Sequence, residues 1–442
     1  MTTFRIFVRF RSSYPIVLMY YSKLFGKTNK MKPADADSAN AQLLLQAGFI
    51  NQLAAGIFSY MPLGLRVLKK IQDIVREEME AIGGQEVYLP ALQPKEPWVT
   101  TGRWDTIDVM FKLKGHGNKD YCLGLTHEDV ITPLVKQYVN SYKDFPVFLY
   151  QIQDKFRNEA RAKSGLLRGR EFSMKDFYSF HLSEEDRADF YLKAADAYRK
   201  VFDRIGIQAI YTEASGGDFS KDSHEFQTPT ESGEDVIYFC EGCDYAWNKE
   251  IFDGKNGDTC PKECGGKVEE MKSIEVGNIF PLGTKFTDAN KLTMKDEKGE
   301  SKQIVMGSYG IGPSRVMGAV VEVSHDDRGM IWPKSIAPYV VEIISLSSKD
   351  EAVVARINEV ASALHDDLEK SGVEVLWDER EGLSPGEKFG DADLIGIPLR
   401  LVVSEKTLVE DSVEWKERTN KEFSLVKIDQ IAKEVKSFVN KK

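Results

Sequence analysis

Residues Asp154 to Phe180 read DKFRNEARAKSGLLRGREFSMKDFYSF and give the strongest indication of the fold. This stretch follows an apolar, strand-like run, crosses a turn rich in Arg, Lys and Gly, and enters a second strand-like run at Glu171. Arg157 and Glu159 are two residues apart, so on a strand both side chains lie on the same face. A guanidinium and a carboxylate held side by side can bind a phosphate and a base or an amine in one pocket. The pattern therefore predicts a hairpin that binds an anionic ligand.

The turn of this hairpin carries more cations than folding requires, namely Arg161, Lys163, Arg168 and Arg170. The alternative is a surface hairpin whose Arg and Glu side chains form exposed ion pairs, each contributing roughly 0–1 kcal/mol. The stretch alone leaves both interpretations open.

Length and composition indicate a multidomain protein without membrane spans. The 442 residues suffice for two or three domains with a substantial core. The formal charge is 59 − 69 = −10, so a polyanionic partner must be bound by a local basic patch. No run approaches the roughly 18 apolar residues of a membrane helix. Five cysteines, of which Cys122 is isolated, fit a reducing compartment better than a secreted protein.

The first 34 residues lack acidic side chains and contain seven Lys and Arg among Ser and Tyr. This composition resembles an organelle transit peptide. The alternative is an over-long start, with translation beginning at Met19. We therefore treat residues 1–34 as an N-terminal extension, and expect a bacterial cytoplasmic location, with the mitochondrial matrix as the alternative.

The region before the hairpin predicts helices and a short strand. Residues 40–60 carry apolar residues at helical spacing. Residues 63–79 read as a long amphipathic helix, and a strand from Glu86 to Leu89 runs into Pro90. Packing in the core of the domain is enough to explain this unit of helix, strand and Pro. The more specific alternative is that the unit forms a dimer interface.

Residues 121–130, YCLGLTHEDV, predict a strand that turns into a helix, with Thr126 and Glu128 at the turn. Their side chains could cap the helix. They could instead bind an ammonium group.

Four cysteines cluster after an apolar strand, as Cys240, Cys243, Cys260 and Cys264. Two pairs on tight turns that close a short loop match a tetrahedral zinc site. Four thiolates leave no open coordination position, so the expected role of a Zn²⁺ ion is structural.

Two further strand-like runs follow, and the second enters a helix at Pro313. Gly310 and Gly312 would let a ligand approach the backbone, and Arg315 lies in the first helical turn. Beyond Pro338, strands alternate with helices, which predicts an α/β domain of about 100 residues.

Taken together, these residues resemble a class II aminoacyl-tRNA synthetase, of the prolyl-tRNA synthetase family in its bacterial or organellar type. The helix that ends in Leu89-Pro90 resembles motif 1, residues 156–172 resemble motif 2, and residues 310–315 resemble motif 3. The prolyl family is indicated by THE at 126–128, MKDFYSFH at 174–181, IEVGNIFPLGTKF at 274–286 and DEREGLSPGEKFGDADLIGIP at 378–398. The resemblance implies an α+β catalytic domain on an antiparallel sheet at 35–337, and an α/β anticodon-binding domain at 338–442.

The resemblance also implies the roles of individual residues. Arg157 and Arg315 are the expected catalytic residues, and activation would use ATP with Mg²⁺. The residues implied for ATP binding are Arg157, Glu159, Arg168, Phe172, Glu275, Gly277, Gly310, Gly312 and Arg315. Those implied for proline binding are Thr126, Glu128, Arg157, Phe177, His181 and Ser308. The implied partners are L-proline, tRNA(Pro) and a second copy of the chain in a homodimer, and Asp378, Arg380 and Lys388 would contact the anticodon.

This sequence departs from the family pattern in three places. Asn278 stands where bacterial-type members usually have His, and Ser308 where many have Cys. Only the short cysteine-rich insertion at 235–273 occupies the place of the large editing insertion, so we expect no editing of mischarged alanine in cis. The alternative function is an inactive paralogue that regulates or binds tRNA, but such paralogues typically lose the motif arginines, which are present here.

Overall fold

The computed structural model describes residues 19–31, 33, 36–217, 219–220 and 222–441. Its helices are α1 (Ala39–Gln46), α2 (Pro62–Ala81), α3 (Lys95–Thr100), α4 (Glu128–Tyr138), α5 (Glu184–Ile205), α6 (Lys285–Ala289), α7 (Pro313–Val323), α8 (Glu351–Lys370), α9 (Pro385–Ile395), α10 (Glu405–Val409) and α11 (Ile431–Asn440). None of the described helices combines the length and the apolar character that a bilayer crossing needs.

The strands before the cysteine-rich insertion are β1 (Ile50–Ala54), β2 (Ile57–Tyr60), β3 (Gln85–Glu86), β4 (Leu92–Pro94), β5 (Lys112–Lys114), β6 (Asp120–Leu123), β7 (Val147–Phe156), β8 (Glu171–His181), β9 (Ile210–Ser215) and β10 (Asp222–Pro229). Those from the insertion onward are β11 (Asp235–Cys240), β12 (Tyr245–Asn248), β13 (Val268–Gly283), β14 (Thr293–Lys295), β15 (Ser301–Gln303), β16 (Val305–Ile311), β17 (His325–Asp326), β18 (Gly329–Met330), β19 (Val341–Ser345), β20 (Val375–Asp378), β21 (Leu399–Val403), β22 (Ser412–Glu417) and β23 (Ser424–Lys427).

The chain divides into two compact units. The larger unit spans Gly26–Pro338 with Asp393–Gly396, and the smaller comprises the rest of the C-terminal region together with residues 19–25. The predicted N-terminal extension of residues 1–34 is therefore split between the units. Tyr21 is buried in the smaller unit, and the larger unit begins at Gly26. The two hypotheses about the chain start, a transit peptide or a start at Met19, concern residues 1–18, which lie outside the described residues.

The larger unit is built on a nine-stranded sheet in the order β10-β9-β12-β11-β13-β16-β8-β7-β3. Its central ladders are antiparallel, as predicted, and β7 and β8 form the hairpin predicted from residues 154–180, paired from Val147↔Phe180 to Phe156↔Glu171. Helix α5 contacts β8, β13 and β16. It begins at the N-cap Ser183, whose side chain accepts a hydrogen bond from the Asp186 backbone, and ends at the left-handed Gly206.

The cysteine-rich insertion is part of this sheet. Its strands β11 and β12 form a hairpin, and β11 also pairs with β13. We call residues 235–273 the cysteine ribbon. The ribbon is therefore attached to the main sheet through β11, which pairs with β13, and through β12, which also pairs with β9.

The prediction for residues 40–60 is only half right. Helix α1 ends at Gln46, and residues 50–60 form the hairpin β1–β2 instead of a second helix. Gly48 adopts a left-handed conformation with φ +70°, which ends the helix and redirects the chain.

The smaller unit contains a five-stranded sheet in the order β20-β19-β21-β22-β23. Its first three strands are parallel and the last two antiparallel. Apolar residues of β19 and β21 pack with those of α8 and α11 in one core. This confirms the predicted C-terminal α/β fold.

Candidate active site

A pocket of about 470 Å³ lies on the large sheet, over strands β8, β13 and β16. Phe172, Met174 and Asp176 of β8 line it, as do Ser308 and Gly310 of β16. These residues alternate along their strands, so one face of the sheet supplies the pocket and the other packs on α5. The predicted residues that line the pocket are Thr126, Glu128, Arg157, Glu159, Arg168, Phe172, Glu275, Gly277, Ser308, Gly310, Gly312 and Arg315.

Arg157 follows the end of β7 and projects over Phe172. Its guanidinium carbon lies 5.1 Å from the ring centroid, and its backbone N–H donates to the Arg170 carbonyl at 2.9 Å. Within the described part of the chain its side chain forms no ion pair, so its charge is free for a ligand. Burial lowers the pKa of Arg157, and the nearby Glu275 and Glu159 oppose that shift. Arginine nevertheless stays protonated at all physiological pH values.

Arg315 lies in the first turn of α7, where Pro313 occupies the first helical position. Its Nε donates to the Glu275 carbonyl at 2.5 Å, and its Nη1 donates to the Leu167 carbonyl at 2.8 Å. These bonds fix the second cation of the pocket between strand β13 and the motif 2 turn.

The turn between β7 and β8 holds a second set of charges at the pocket. Arg168 donates to Glu159 Oε2 from Nε at 3.1 Å and from Nη2 at 2.9 Å. Lys163 pairs with Glu234 at 2.9 Å. The alternative of a surface hairpin with ion pairs therefore holds for part of the turn, because two of its cations, Arg168 and Lys163, are paired with carboxylates.

Thr126 and Glu128 lie where the chain passes from β6 into α4, as predicted, and Glu128 is the first residue of the helix. Thr126 Oγ1 donates to Glu128 Oε2, and Ser308 Oγ donates to Glu128 Oε1 at 3.1 Å. The N-cap of α4 is His127, whose side chain makes no capping hydrogen bond and instead contacts the Pro90 carbonyl through Nε2 at 3.0 Å. The capping interpretation is therefore wrong, and Glu128 is held in the pocket by two hydroxyls and by Arg103, whose Nη1 lies 3.6 Å from Oε2.

A buried polar cluster supports this end of the pocket. Asp176 pairs with Lys155 at 2.7 Å and accepts hydrogen bonds at 2.9 Å from Gln151 Nε2 and Tyr178 Oη. Burial opposes its ionisation, but Lys155 and His127 hold the pKa of Asp176 below its ordinary value. Asp176 is therefore a fixed carboxylate at the pocket wall.

Phe177 and His181 do not line the pocket, which corrects the prediction of their role. Both are fully buried on the opposite face of β8, where Phe177 packs against Phe190 of α5 at 5.6 Å between ring centroids. His181 Nδ1 lies 2.7 Å from Asp186. The reason is the two-residue period of a strand, which turns odd-numbered residues of β8 away from Phe172.

Sequence reasoning missed several pocket residues, namely Leu166, Leu167, Gly169, Met174, Asp176, Phe219, Glu234, Asp235, Val276, Asn278 and Phe280. Met174 and Asp176 could have been found by counting in twos from Phe172. Others are sequence neighbours of the predicted Arg168 and Gly277. The remaining ones lie on separate loops and strands, and only the fold brings them to the pocket.

The four ribbon cysteines converge on one point. Their Sγ atoms all lie within 4.8 Å of one another, with Cys240–Cys264 at 3.5 Å and Cys243–Cys260 at 3.7 Å. These distances exceed the S–S bond of about 2.05 Å. They match the sulfur spacing of roughly 3.8 Å in a tetrahedral site with Zn–S bonds of about 2.3 Å. The thiol set therefore fits a closed Zn²⁺ site.

The three predicted anticodon residues form an internal network, and two of them are fully buried. Arg380 pairs with Asp378 at 2.8 Å and Asp391 at 2.9 Å. Lys388 Nζ donates to the Ser345 carbonyl at 2.8 Å. Asp378 is 0% and Lys388 1% exposed, so neither is accessible to a nucleotide base, which corrects that part of the prediction. Asp378 is the last residue of β20, and Lys388 lies within α9 with its Nζ directed at the Ser345 and Asp378 carbonyls.

Comparisons with known proteins agree with this geometry. Residues 111–324 match the family described as tRNA synthetase class II core domain (G, H, P, S and T), and residues 341–438 match the anticodon binding domain. The antiparallel sheet, the three motifs and the anticodon-type unit define a class II aminoacyl-tRNA synthetase.

Two curated relatives are proline–tRNA ligases. The protein of Syntrophomonas wolfei is 34% identical over 568 residues, with 95% of this chain and 99% of that protein covered. That of Desulfitobacterium hafniense is 33% identical over 574 residues, with the same coverage. The chain therefore belongs to the proline–tRNA ligase family.

Solved structures share the fold. Prolyl-tRNA synthetase of Giardia lamblia in complex with prolyl-adenylate has a TM-score of 0.76 at 18% identity, covering 90% of this chain and 77% of that chain. The enzyme of Cryptosporidium parvum, complexed with L-proline and AMP, has a TM-score of 0.75 at 16% identity, covering 90% and 74%.

Proposed function

We propose that this chain activates L-proline with ATP to prolyl-adenylate and transfers the prolyl group to tRNA(Pro). The observation that carries the proposal is one pocket that holds two kinds of charged side chain. Arg157 and Arg315 line it together with Glu128, which Thr126 and Ser308 fix by hydrogen bonds. These groups suit a ligand that carries both phosphates and a cationic amine.

The reaction needs positioning more than it needs a nucleophilic side chain. In the first step, a carboxylate oxygen of proline forms a bond to the α-phosphorus of ATP, and pyrophosphate leaves. Two anions must approach each other, so Arg157 and Arg315 would lower the barrier by neutralising charge at fixed positions. In the second step, a terminal hydroxyl of the tRNA attacks the carbonyl carbon of the prolyl-adenylate, forms the prolyl ester and releases AMP.

The imino group of proline would be held by Glu128. The Glu128 carboxylate can accept a hydrogen bond from the imino group of proline and balance its charge. Its orientation is set by the Thr126 and Ser308 hydroxyls, so little reorganisation is needed when proline binds.

The pocket also offers ligands for Mg²⁺. Glu275 and Asp235 line it, and the Asn278 Oδ1 beside them has no hydrogen-bond partner among the described residues. Carboxylate and carbonyl oxygens are the ligands that Mg²⁺ prefers. Bound there, the ion would neutralise phosphate charge.

Three finer features belong to the same proposal. The cysteine ribbon would bind one structural Zn²⁺. The chain would form a homodimer through the motif 1 region, where Tyr88 is 80% exposed and Leu92 52%. The bacterial origin of the relatives favours a cytoplasmic location.

The test is ATP–pyrophosphate exchange with each of the twenty amino acids, followed by charging of a tRNA(Pro) transcript. Exchange that depends on proline, and transfer of labelled proline to the transcript, are expected. Folded protein that stays inactive with all twenty amino acids and Mg²⁺ would contradict the proposal and favour the inactive paralogue.

A further inference from the structure

A buried carboxyl group, that of Glu225, lies next to the pocket without lining it. Glu225 is on β10 and is 8% exposed. Its Oε2 accepts hydrogen bonds from Gln227 Nε2 at 2.8 Å and Asn248 Nδ2 at 3.0 Å, and its Oε1 accepts one from Asn278 Nδ2 at 3.4 Å. Three amides from three different strands therefore converge on one carboxyl group.

Two of these amides connect Glu225 to carboxylates of the pocket wall. Asn278 Nδ2 also donates to Glu275 Oε1 at 3.1 Å, and Gln227 Nε2 also donates to Asp235 Oδ2 at 3.3 Å. Glu275 and Asp235 both line the pocket. Their positions consequently depend on a residue that touches no ligand itself.

The third amide belongs to the cysteine ribbon. Asn248 is the last residue of β12 and pairs with Ile237 of β11, in the ladder that continues to Cys240↔Tyr245. The thiol cluster at the tip of the ribbon and the amide at its base are thus joined by one continuous hairpin. Asn248 therefore connects β12 of the ribbon to Glu225 through a side chain that a single substitution removes.

We propose that Glu225 and Asn248 are positioning residues that tie the cysteine ribbon to the ATP-binding part of the pocket by fixing Glu275 and Asp235. This inference rests on the proposed function, because it assigns that part to ATP. It gives the ribbon a role in nucleotide binding as well as in folding.

The experiment measures ATP affinity directly, by calorimetric titration of ATP into the protein in the presence of Mg²⁺. Pyrophosphate exchange supplies the KM values for ATP and proline. Asn248→Ala and Glu225→Ala should each weaken ATP binding and raise the KM for ATP about tenfold, which is about 1.4 kcal/mol. The KM for proline should stay within about twofold of the wild-type value. Glu225→Gln keeps the oxygen that faces Gln227 and Asn248, so its loss should be smaller than that of Glu225→Ala.

A matched control is Tyr238→Phe, which removes the 2.6 Å hydrogen bond to Glu270 elsewhere on the ribbon and should leave ATP affinity unchanged. Wild-type ATP affinity in Asn248→Ala, with Glu225→Ala either unchanged or unfolded, would overturn the inference. Equal losses for ATP and proline would also overturn it. If the wild type binds ATP but shows no proline-dependent exchange, the proposed function fails while the titrations still test the network.

Discussion

At the residue scale, the two-residue period of β8 decides which side chains take part in the reaction. Phe172, Met174 and Asp176 face the pocket, and Phe177 is packed between the sheet and α5. The sequence motif that spans these residues does not by itself show which of them face the pocket and which face the core. Family resemblance marked the segment, but only the strand geometry separates its pocket face from its core face.

We predict that two substitutions three residues apart on β8 affect different properties, one the binding of proline and the other the stability. Met174→Ala should raise the KM for proline about tenfold with little change in stability, since Met174 is partly exposed at the pocket wall. Phe177→Ala should lower the free energy of unfolding by about 3–5 kcal/mol, because it leaves a cavity in the core. Denaturant unfolding and exchange kinetics on both variants check this. A stable Phe177→Ala variant with impaired proline binding would show that Phe177 contributes to the proline pocket after all.

At the element scale, local patterns predicted the elements themselves well and their partners poorly. The β7–β8 hairpin, the strand-to-helix turn at Thr126 and the helix α2 follow from periodicity and turn residues. The hairpin β1–β2 was missed because its apolar spacing also fits a helix, and the left-handed Gly48 decides between them. The place of β11 and β12 within the main sheet depends on non-local pairing, which no local pattern contains.

The cysteine ribbon gives the first prediction at this scale. The purified protein should contain about one Zn²⁺ per chain, and Cys260→Ser should lose the metal and lower the stability by several kcal/mol. Cys122→Ala is the control, since Cys122 is buried in a separate apolar cluster with Trp98. Metal analysis and thermal unfolding measure both effects. A Cys260→Ser variant that keeps its metal and its Tm would contradict the assignment.

The segment 19–25 gives the second. Tyr21 is buried beneath Arg380, whose guanidinium carbon lies 3.7 Å from the ring centroid, and Ser22 N–H donates to Glu379 Oε2 at 3.3 Å. The segment thus holds the loop that follows β20, next to the predicted anticodon residues.

Removal of this segment should affect tRNA use and spare activation. A chain that starts at residue 26 is expected to show a KM for tRNA(Pro) at least about tenfold higher, with proline-dependent exchange nearly unchanged. A chain that starts at Met19 keeps the segment and serves as the control. Equal tRNA charging by both chains would show that the segment does not position the loop.

At the scale of the whole molecule, the chain is a short form of its family. The alignment with the Syntrophomonas wolfei protein runs over 568 residues, although this chain has 442. The relative therefore carries residues that this chain lacks. The described residues between β10 and β13 contain only the cysteine ribbon, which is too small to hold a second hydrolytic domain.

We predict that the protein does not clear alanine mischarged on tRNA(Pro). Alanyl-tRNA(Pro) incubated with the purified protein should hydrolyse no faster than in buffer, because the described residues offer no second site of domain size. The Syntrophomonas wolfei relative is a matched comparison under the same conditions. Rapid deacylation by this chain would refute the prediction.

We propose that one sheet-face pocket, built around Arg157, activates proline. The measurement that decides this is proline-dependent ATP–pyrophosphate exchange by the wild type, Arg157→Ala and Arg161→Ala, since Arg161 is an exposed cation of the same turn that does not line the pocket. Arg157→Ala should lose activity by about 10²–10³-fold, and Arg161→Ala should keep nearly full activity. Equal activity of the two variants, or exchange that does not depend on proline, would show that this pocket does not activate proline.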